Sequence, residues 1–179
     1  MRPRFLLLLA PLLLAACGGS SGSPSGEAKG TAAAKSAVSS IDACDLFPDD
    51  EANAIARGYV SGMSSTLEDA KGRDPLSCAY NAGSTEQPRI LSLVVRLHET
   101  PERAERTLLA TRGALDTLTH GDLKDVPNLG DGAFWAGGRL MQLHVRKGEK
   151  QLLITCQLND PAASFAGAQK IAKAALGRL

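Results

Sequence analysis

The sequence predicts an α+β domain in which a mostly antiparallel sheet of about five strands carries helices on one face. Three observations support this fold class. Apolar residues recur at every second position in the segments 89–98, 139–147 and 151–158, as they do in strands with one buried face. After Pro101 and after Pro161 they recur at helical spacing instead. Glycine-rich turn signals separate the last strands closely, which favours antiparallel neighbours.

The elements are expected in the order α-β-β-α-β-β-β-α. The first helix is predicted where Pro48 precedes three acids, because proline suits the first helical turn and acids offset the positive end of the helix dipole. We expect this helix to end at Gly58. Residues 59–75 show no clear period, so we expect a loop there, with at most a short strand near Tyr59. A short strand over residues 76–81 and the longer strand described above follow.

The second half of the domain continues the alternation of helix and sheet. A helix is predicted from Pro101 to Leu118, with Thr100 as its N-cap. Tight turns then delimit three short strands, which form an antiparallel meander. A final alanine-rich helix is predicted to begin at Pro161, directly after the capping residue Asp160.

The N-terminus has the pattern of an export signal. Arg2 and Arg4 precede an apolar run that ends in Leu-Ala-Ala-Cys, with the cysteine at position 17. The run from Phe5 to Ala16 has 12 residues, whereas a membrane-spanning helix needs about 20. This ending resembles the lipobox of bacterial lipoproteins, which implies cleavage between Ala16 and Cys17 and a diacylglycerol on the Cys17 sulfur. An ordinary signal peptide with an incidental cysteine is the alternative.

These features divide the chain into three parts. We expect residues 1–16 to be a signal peptide, residues 17–40 a lipidated flexible tether, and residues 41–179 one globular domain. The lipid is expected to hold the protein in the cell envelope. Gly18, after the cysteine, resembles the sorting pattern for an outer membrane, with the domain facing the periplasm. In a cell with one membrane, the anchor would lie on the extracellular face of the plasma membrane.

The composition argues against several classes of function. Removing the signal takes away two of the 20 basic residues and none of the 19 acids, so the mature chain is near −1. Nucleic-acid-binding domains normally carry a basic surplus, so we expect no nucleic-acid partner. One Trp, two Tyr and four Phe are few for a carbohydrate cleft. No two cysteines have the close spacing of a zinc site, and we expect neither metal nor cofactor.

Three short motifs in the predicted domain resemble a family of bacterial lipoproteins. The segments 42–46 (Asp-Ala-Cys-Asp-Leu), 77–80 (Ser-Cys-Ala-Tyr) and 126–133 (Val-Pro-Asn-Leu-Gly-Asp-Gly-Ala) are similar to motifs of a domain-of-unknown-function family best represented among actinobacteria. The resemblance implies an exported, lipid-anchored globular domain with a disulfide between Cys44 and Cys78. It implies no known reaction, and this chain departs from the family pattern in having a further cysteine at position 156.

The residues alone leave the cysteine chemistry open. Three cysteines remain besides Cys17, and they allow three single pairings. Cys156 alternates with leucine and isoleucine on the apolar side of a predicted strand, which favours a buried free thiol. A nucleophilic pair of Cys156 with His98 or His144 would make a cysteine-dependent hydrolase. The alternation argues against it, because both histidines point away from the apolar faces of their own strands, and we predict no catalytic residues.

Four basic side chains form a candidate ligand face: Arg96, His98, His144 and Arg146. The first two share one face of a strand, and the last two share the corresponding face of another. If the two strands are close together, the exposed side of the sheet is basic. An anionic ligand, a lipid headgroup or an acidic partner then has a place to dock. The ordinary solvated face of an antiparallel sheet is the alternative interpretation.

The sequence therefore predicts a membrane-anchored envelope protein whose domain binds a ligand or an envelope partner without catalysis. One alternative is a carrier that holds an apolar small molecule or lipid between the helices and the sheet. It is suggested only by the small side chains that dominate residues 162–175. The cysteine-dependent hydrolase is the other alternative.

Overall fold

The computed structural model describes residues 42–57, 61–66, 76–84, 86–119 and 122–179. The predicted signal, the tether with Cys17, Gly58 and most of the expected loop after it lie outside these residues. The described residues all belong to one compact unit.

The described residues form four helices and seven strands. The helices are α1 (Ala43–Leu46), α2 (Asp49–Ala56), α3 (Pro101–Thr119) and α4 (Pro161–Arg178). The strands are β1 (Ser61–Thr66), β2 (Leu76–Gly83), β3 (Pro88–Leu97), β4 (Leu123–Asp125), β5 (Gly132–Ala136), β6 (Gln142–Lys147) and β7 (Lys150–Gln157). They join in one antiparallel sheet in the order β1-β2-β3-β7-β6-β5-β4. The predicted α+β class and antiparallel sheet are thus confirmed.

The sheet has two more strands than the five that the sequence predicts. The additional strands, β1 and β4, are its two edges. The β1 sequence Ser-Gly-Met-Ser-Ser-Thr has no apolar alternation, and this segment becomes a strand by pairing with β2. Strand β4 has three residues, too few to show a period, and pairs with β5. Both edge strands therefore form because they pair with a neighbouring strand, and not because their own apolar residues alternate.

The larger core lies between one face of the sheet and the helices α1, α2 and α4. The sheet contributes buried side chains from alternate positions of five strands: Cys78, Tyr80, Leu91, Leu93, Val95, Trp135, Leu143, Val145, Leu152, Ile154 and Cys156. On the helical side, Gly167 of α4 lies against the Cys156 sulfur and against Ile55 of α2. The small residues of α4 thus bring this helix close to the sheet.

The prediction that the helices pack on one face is wrong, because α3 covers the opposite face. Phe134 pairs with His144 in register, and both side chains alternate away from the larger core. On this side Leu108 of α3 packs against Gly132, and the Arg112 guanidinium lies 5.6 Å from the centre of the Phe134 ring. Strands β5 and β6 bury side chains on both faces, so each face requires a helix.

A disulfide and a buried tyrosine fasten the start of the domain to the sheet. Cys44 of α1 is bonded to Cys78 of β2, as the resemblance implies, and Cys156 is a buried free thiol. The Tyr80 hydroxyl donates a hydrogen bond to the Phe47 carbonyl, and the two rings meet edge to face at 5.2 Å. Burial raises the pKa of Tyr80, so its hydroxyl keeps the proton that this bond requires.

Gly167 marks the closest approach of α4 to the sheet and predicts an overpacking effect. A Cβ at this position would sit 2.7 Å from the Cys156 sulfur and 3.0 Å from Cγ2 of Ile55. We expect Gly167→Ala to lower the free energy of unfolding by about 1–3 kcal/mol, measured by chemical denaturation of the full-length protein.

The matched control for this substitution is Gly113→Ala in α3. A Cβ at Gly113 meets no atom within 4 Å, so alanine should stabilise the helix by about 0.5–1 kcal/mol. Equal stability of the two variants would contradict the proposed close contact at Gly167.

Candidate ligand-binding sites

The structure brings three of the four predicted basic residues around one glutamine. Arg96 of β3 and Arg146 of β6 both pair in register with Gln151 of β7, which lies between them. A ring nitrogen of His98 lies 3.0 Å from Oε1 of Gln151, within hydrogen-bonding distance. The two strands are therefore separated by a single strand, and these side chains share a face of the sheet.

His144 does not belong to an exposed basic face, and this part of the prediction is wrong. It is 4% exposed and stacks on Phe134, with ring centres 4.6 Å apart and planes 9° apart. Burial lowers its pKa to about 4, so the ring is neutral at physiological pH. The reason is that α3 covers this side of the sheet, which a strand pattern alone does not reveal.

Arg146 is occupied by an internal contact. Its side chain is 14% exposed, and its guanidinium lies 3.7 Å from the Asp131 carboxylate. The same carboxylate accepts hydrogen bonds from the backbone N–H of Gly148 at 2.7 Å and from Lys147 at 3.1 Å, and these contacts lower the pKa of Asp131. Arg146 thus helps to hold the turn before β5, and the exposed basic face is reduced to Arg96 and His98.

A second basic site lies at the other end of the sheet, in a cleft between α2 and α4. Its volume is about 490 Å³. The lining residues come from the end of α2, the start of β3 and the first half of α4: Ala54, Ile55, Ala56, Arg57, Arg89, Leu158, Asn159, Asp160, Ala163, Ala166, Gly167 and Lys170. Three of these described residues are cations and one is an acid, so the described part of the lining is basic. We call this site the α2–α4 cleft.

Arg57 enters the cleft from an uncommon backbone conformation. It follows α2 directly, with φ of 53° and ψ of 50°, and its N–H bonds to the Asn53 carbonyl. The left-handed region favours glycine, and the sequence predicts this role for the next residue, Gly58. The left-handed residue that ends α2 is Arg57 instead. A non-glycine residue in this conformation lowers the stability of the fold by about 1 kcal/mol. Because the residue is arginine, it also places a cationic side chain at the cleft.

Arg89 is held at the cleft by the end of α2. It lies at the start of β3, on the face that carries the larger core, and its guanidinium donates to the carbonyl of Ala56. The C-terminal end of a helix carries partial negative charge, which attracts this guanidinium. Arginine has five N–H donors. Among the described residues, the Ala56 carbonyl is the acceptor that the Arg89 guanidinium contacts.

The α4 side of the cleft carries Lys170 and Asp160. Lys170 is exposed on the helix surface. The Asp160 carboxylate caps α4 by accepting the N–H groups of Ala162 and Ala163 at 3.4 and 2.8 Å, so the positive end of the helix partly offsets its charge. Within the described part of the chain, no carboxylate forms an ion pair with the three cations of the lining.

One arginine joins the two helices that form the walls of the cleft. Arg178, at the end of α4, donates to the Glu51 carboxylate of α2 at 3.2 Å and to the Leu46 carbonyl at 3.1 Å. These contacts join α4 to α1 and α2 in addition to the apolar core. The walls of the α2–α4 cleft are therefore held in place without a ligand.

The sequence contains one signal for this site, which is Arg89. It occupies the same face of the strand as Leu91, Leu93 and Val95, where a charge is unexpected, and it stands at the strand end. Arg57 and Lys170 give no such signal, because they are exposed and far apart in the sequence. Only the packing of α2 beside α4 brings them together.

The cysteine and the histidines considered for a nucleophilic pair lie on opposite sides of the sheet. Cys156 faces α4, whereas His98 and His144 lie on the other face. Burial raises the pKa of the Cys156 thiol to about 12, so the thiol is protonated. Among the residues with described positions, no three His, Cys, Asp or Glu side chains converge on a metal-sized site.

Comparison of the chain with protein-family models and with curated proteins finds no match. None of the described helices has both the length and the hydrophobicity to cross a membrane.

Proposed function

We propose that the protein is a lipid-anchored envelope lipoprotein whose domain binds a ligand or partner without catalysis. The observation that carries the proposal is the Leu-Ala-Ala-Cys ending of the N-terminal apolar run, with a tether rich in Gly, Ser and Ala after it. Acylated Cys17 is the anchor. The anchor lies in the outer membrane, facing the periplasm, in a cell with two membranes, and otherwise on the extracellular face of the plasma membrane. The same proposal includes membership of the domain-of-unknown-function family of bacterial lipoproteins that the sequence resembles.

The disulfide between Cys44 and Cys78 supports export. Such bonds form and persist in the periplasm and outside the cell, whereas cytosolic thiols are kept reduced. A bond that fastens α1 to the sheet is therefore consistent with a domain that works beyond the cytoplasmic membrane.

The thiol state of the protein in cells tests this location. Acid trapping followed by alkylation should find the bond between Cys44 and Cys78 formed in the wild-type protein. A variant lacking residues 2–16 should remain in the cytosol, where the same two thiols should be reduced. Reduced thiols in the wild-type protein, together with recovery from the cytosol, would overturn the proposed location.

The geometry around Cys156 favours binding over hydrolysis. The thiol is buried and protonated, and the sheet separates it from His98 and His144. The carrier alternative is disfavoured at the same place, because Gly167 brings α4 into contact with Cys156 and leaves no space there for an apolar guest. The α2–α4 cleft, at the surface, is the site we assign to the ligand.

Cys156 should be unreactive in the folded protein. Iodoacetamide should leave it unmodified under native conditions, because a thiol with a pKa near 12 forms almost no thiolate and the side chain is inaccessible. After unfolding without a reductant, Cys156 should become modified while Cys44 and Cys78 remain bonded. Rapid native modification, followed by mass spectrometry, would revive the hydrolase alternative.

A further inference from the structure

The α2–α4 cleft combines three cations with an apolar wall. We propose that it binds a small molecule in which a phosphate-type dianion is attached to a short apolar group. Arg57, Arg89 and Lys170 contact the anion in this account. The inference rests on the proposed binding function and names the site and the ligand class.

The charges of the lining fit a dianion. Arg57, Arg89 and Lys170 contribute three positive charges, and Asp160 contributes one negative charge that the start of α4 partly offsets. An arginine guanidinium is planar and binds phosphate oxygens through paired N–H groups. A phosphomonoester carries nearly two negative charges at pH 7, which matches the net charge of the described lining residues.

The conformation of Arg57 points to the same use. Glycine adopts this left-handed conformation with less strain, so arginine at position 57 lowers the stability of the fold. The same arginine supplies a cation to the cleft. Arg89 is already positioned by its hydrogen bond to Ala56, so less freedom of its side chain is lost when an anion binds.

The size and the remaining walls favour a small amphiphilic ligand. A volume of about 490 Å³ falls in the range of small-molecule sites. Beside the cations, Ile55, Leu158 and Ala166 present an apolar surface to the cleft. A short hydrocarbon group next to the anion removes this surface from water, so it strengthens binding beyond the anion alone.

Titration of the full-length lipoprotein with butyl phosphate tests the proposal. The protein is held in phosphatidylcholine nanodiscs, and binding is measured by isothermal titration calorimetry. Butyl phosphate should bind about tenfold more tightly than inorganic phosphate because of its buried methylenes. Arg57→Gly and Lys170→Gln should each weaken binding about fivefold, as expected for one exposed charge contact.

Two controls keep the experiment decisive. Lys173→Gln removes an exposed cation from the same helix outside the cleft lining and should leave binding unchanged. Arg57→Gly should unfold at the same temperature as the wild type or higher, because glycine suits the backbone at this position. Arg89 is left intact because it also holds the end of α2.

The outcomes distinguish a lipid headgroup from a soluble phosphomonoester as the ligand. They also distinguish failure of the proposed cleft from failure of the proposed lipid anchor. If phosphatidic acid in the nanodisc blocks butyl phosphate, the ligand is a lipid headgroup; if it does not, the ligand is a soluble phosphomonoester. No binding of butyl phosphate, equal affinity for inorganic phosphate, or unchanged affinity in the Arg57→Gly, Lys170→Gln double variant would overturn the proposed site. None of these failures affects acylation of Cys17, which is measured independently.

Discussion

Replacing Cys44 and Cys78 together by alanine should lower the free energy of unfolding by about 3–4 kcal/mol. The bond joins residues 34 positions apart, and it restricts the unfolded chain by closing a loop of that length. It also fastens α1 to β2, beside the contact between Tyr80 and Phe47. For a domain of this size such a loss is a large share of its total stability. Chemical denaturation of the full-length protein measures the change.

The reductant dependence of the same measurement provides the control. Dithiothreitol should destabilise the wild-type protein by a similar amount and leave the double variant unaffected, because Cys156 forms no bond. If the wild type is equally stable with and without dithiothreitol, the disulfide contributes nothing, and the assigned role of the bond is wrong.

Acidification should destabilise the protein through His144 by about 3 kcal/mol between pH 6.5 and pH 4. Burial lowers the pKa of this histidine to about 4 in the folded state, whereas the unfolded chain has the ordinary value near 6.5. Above pH 6.5 both states are neutral and the contribution is constant. As the pH falls from 6.5 to 4, the unfolded state takes up the proton and the folded state does not, so stability is lost.

The residues around the His144 ring also disfavour its protonated form in the folded state. His144 lies against Phe134, and the Arg112 guanidinium covers the same phenyl ring, so a second positive charge is unfavourable there. Within the described residues the Nε2 atom of His144 has no hydrogen-bond partner that would stabilise a proton. We therefore expect the pH dependence to belong to His144.

Phenylalanine at position 144 is the matched control for the pH experiment. His144→Phe keeps an aromatic ring against Phe134 but has no group that titrates. From pH 6.5 to 4 its free energy of unfolding should fall less steeply than that of the wild type, by about 1.4 kcal/mol per pH unit, which is the slope for uptake of one proton. Parallel curves for the two proteins would show that His144 is not the source of the acid sensitivity.

Strands and helices with one buried side are the elements that the sequence predicts best. Leu91, Leu93 and Val95 alternate in β3 because their partners in β7 face the same core, and the predicted strand lies where they indicate. Pro101 and Pro161 predict the starts of α3 and α4, since a cap and a proline act locally. Such signals require no knowledge of the rest of the fold.

Features that depend on distant packing could not be predicted in this way. His144 alternates with Leu143 and Val145, which predicts an exposed side chain, but α3 covers its side of the sheet and buries it. The α2–α4 cleft likewise depends on positions 57, 89 and 170, which only the packing of two helices brings together. The spacing of apolar residues along one helix or strand shows which of its faces is apolar. It does not show which other helix or strand covers the opposite face.

Metabolic labelling with a palmitate analogue tests the central claim most directly. The wild-type protein should incorporate the label and lose residues 1–16, whereas the Cys17→Ser variant should incorporate none. A Ser20→Ala variant, altered in the tether only, should be labelled like the wild type. Undiminished labelling of Cys17→Ser would contradict the account, because the anchor, the oxidising compartment and the envelope function all depend on that acylated cysteine.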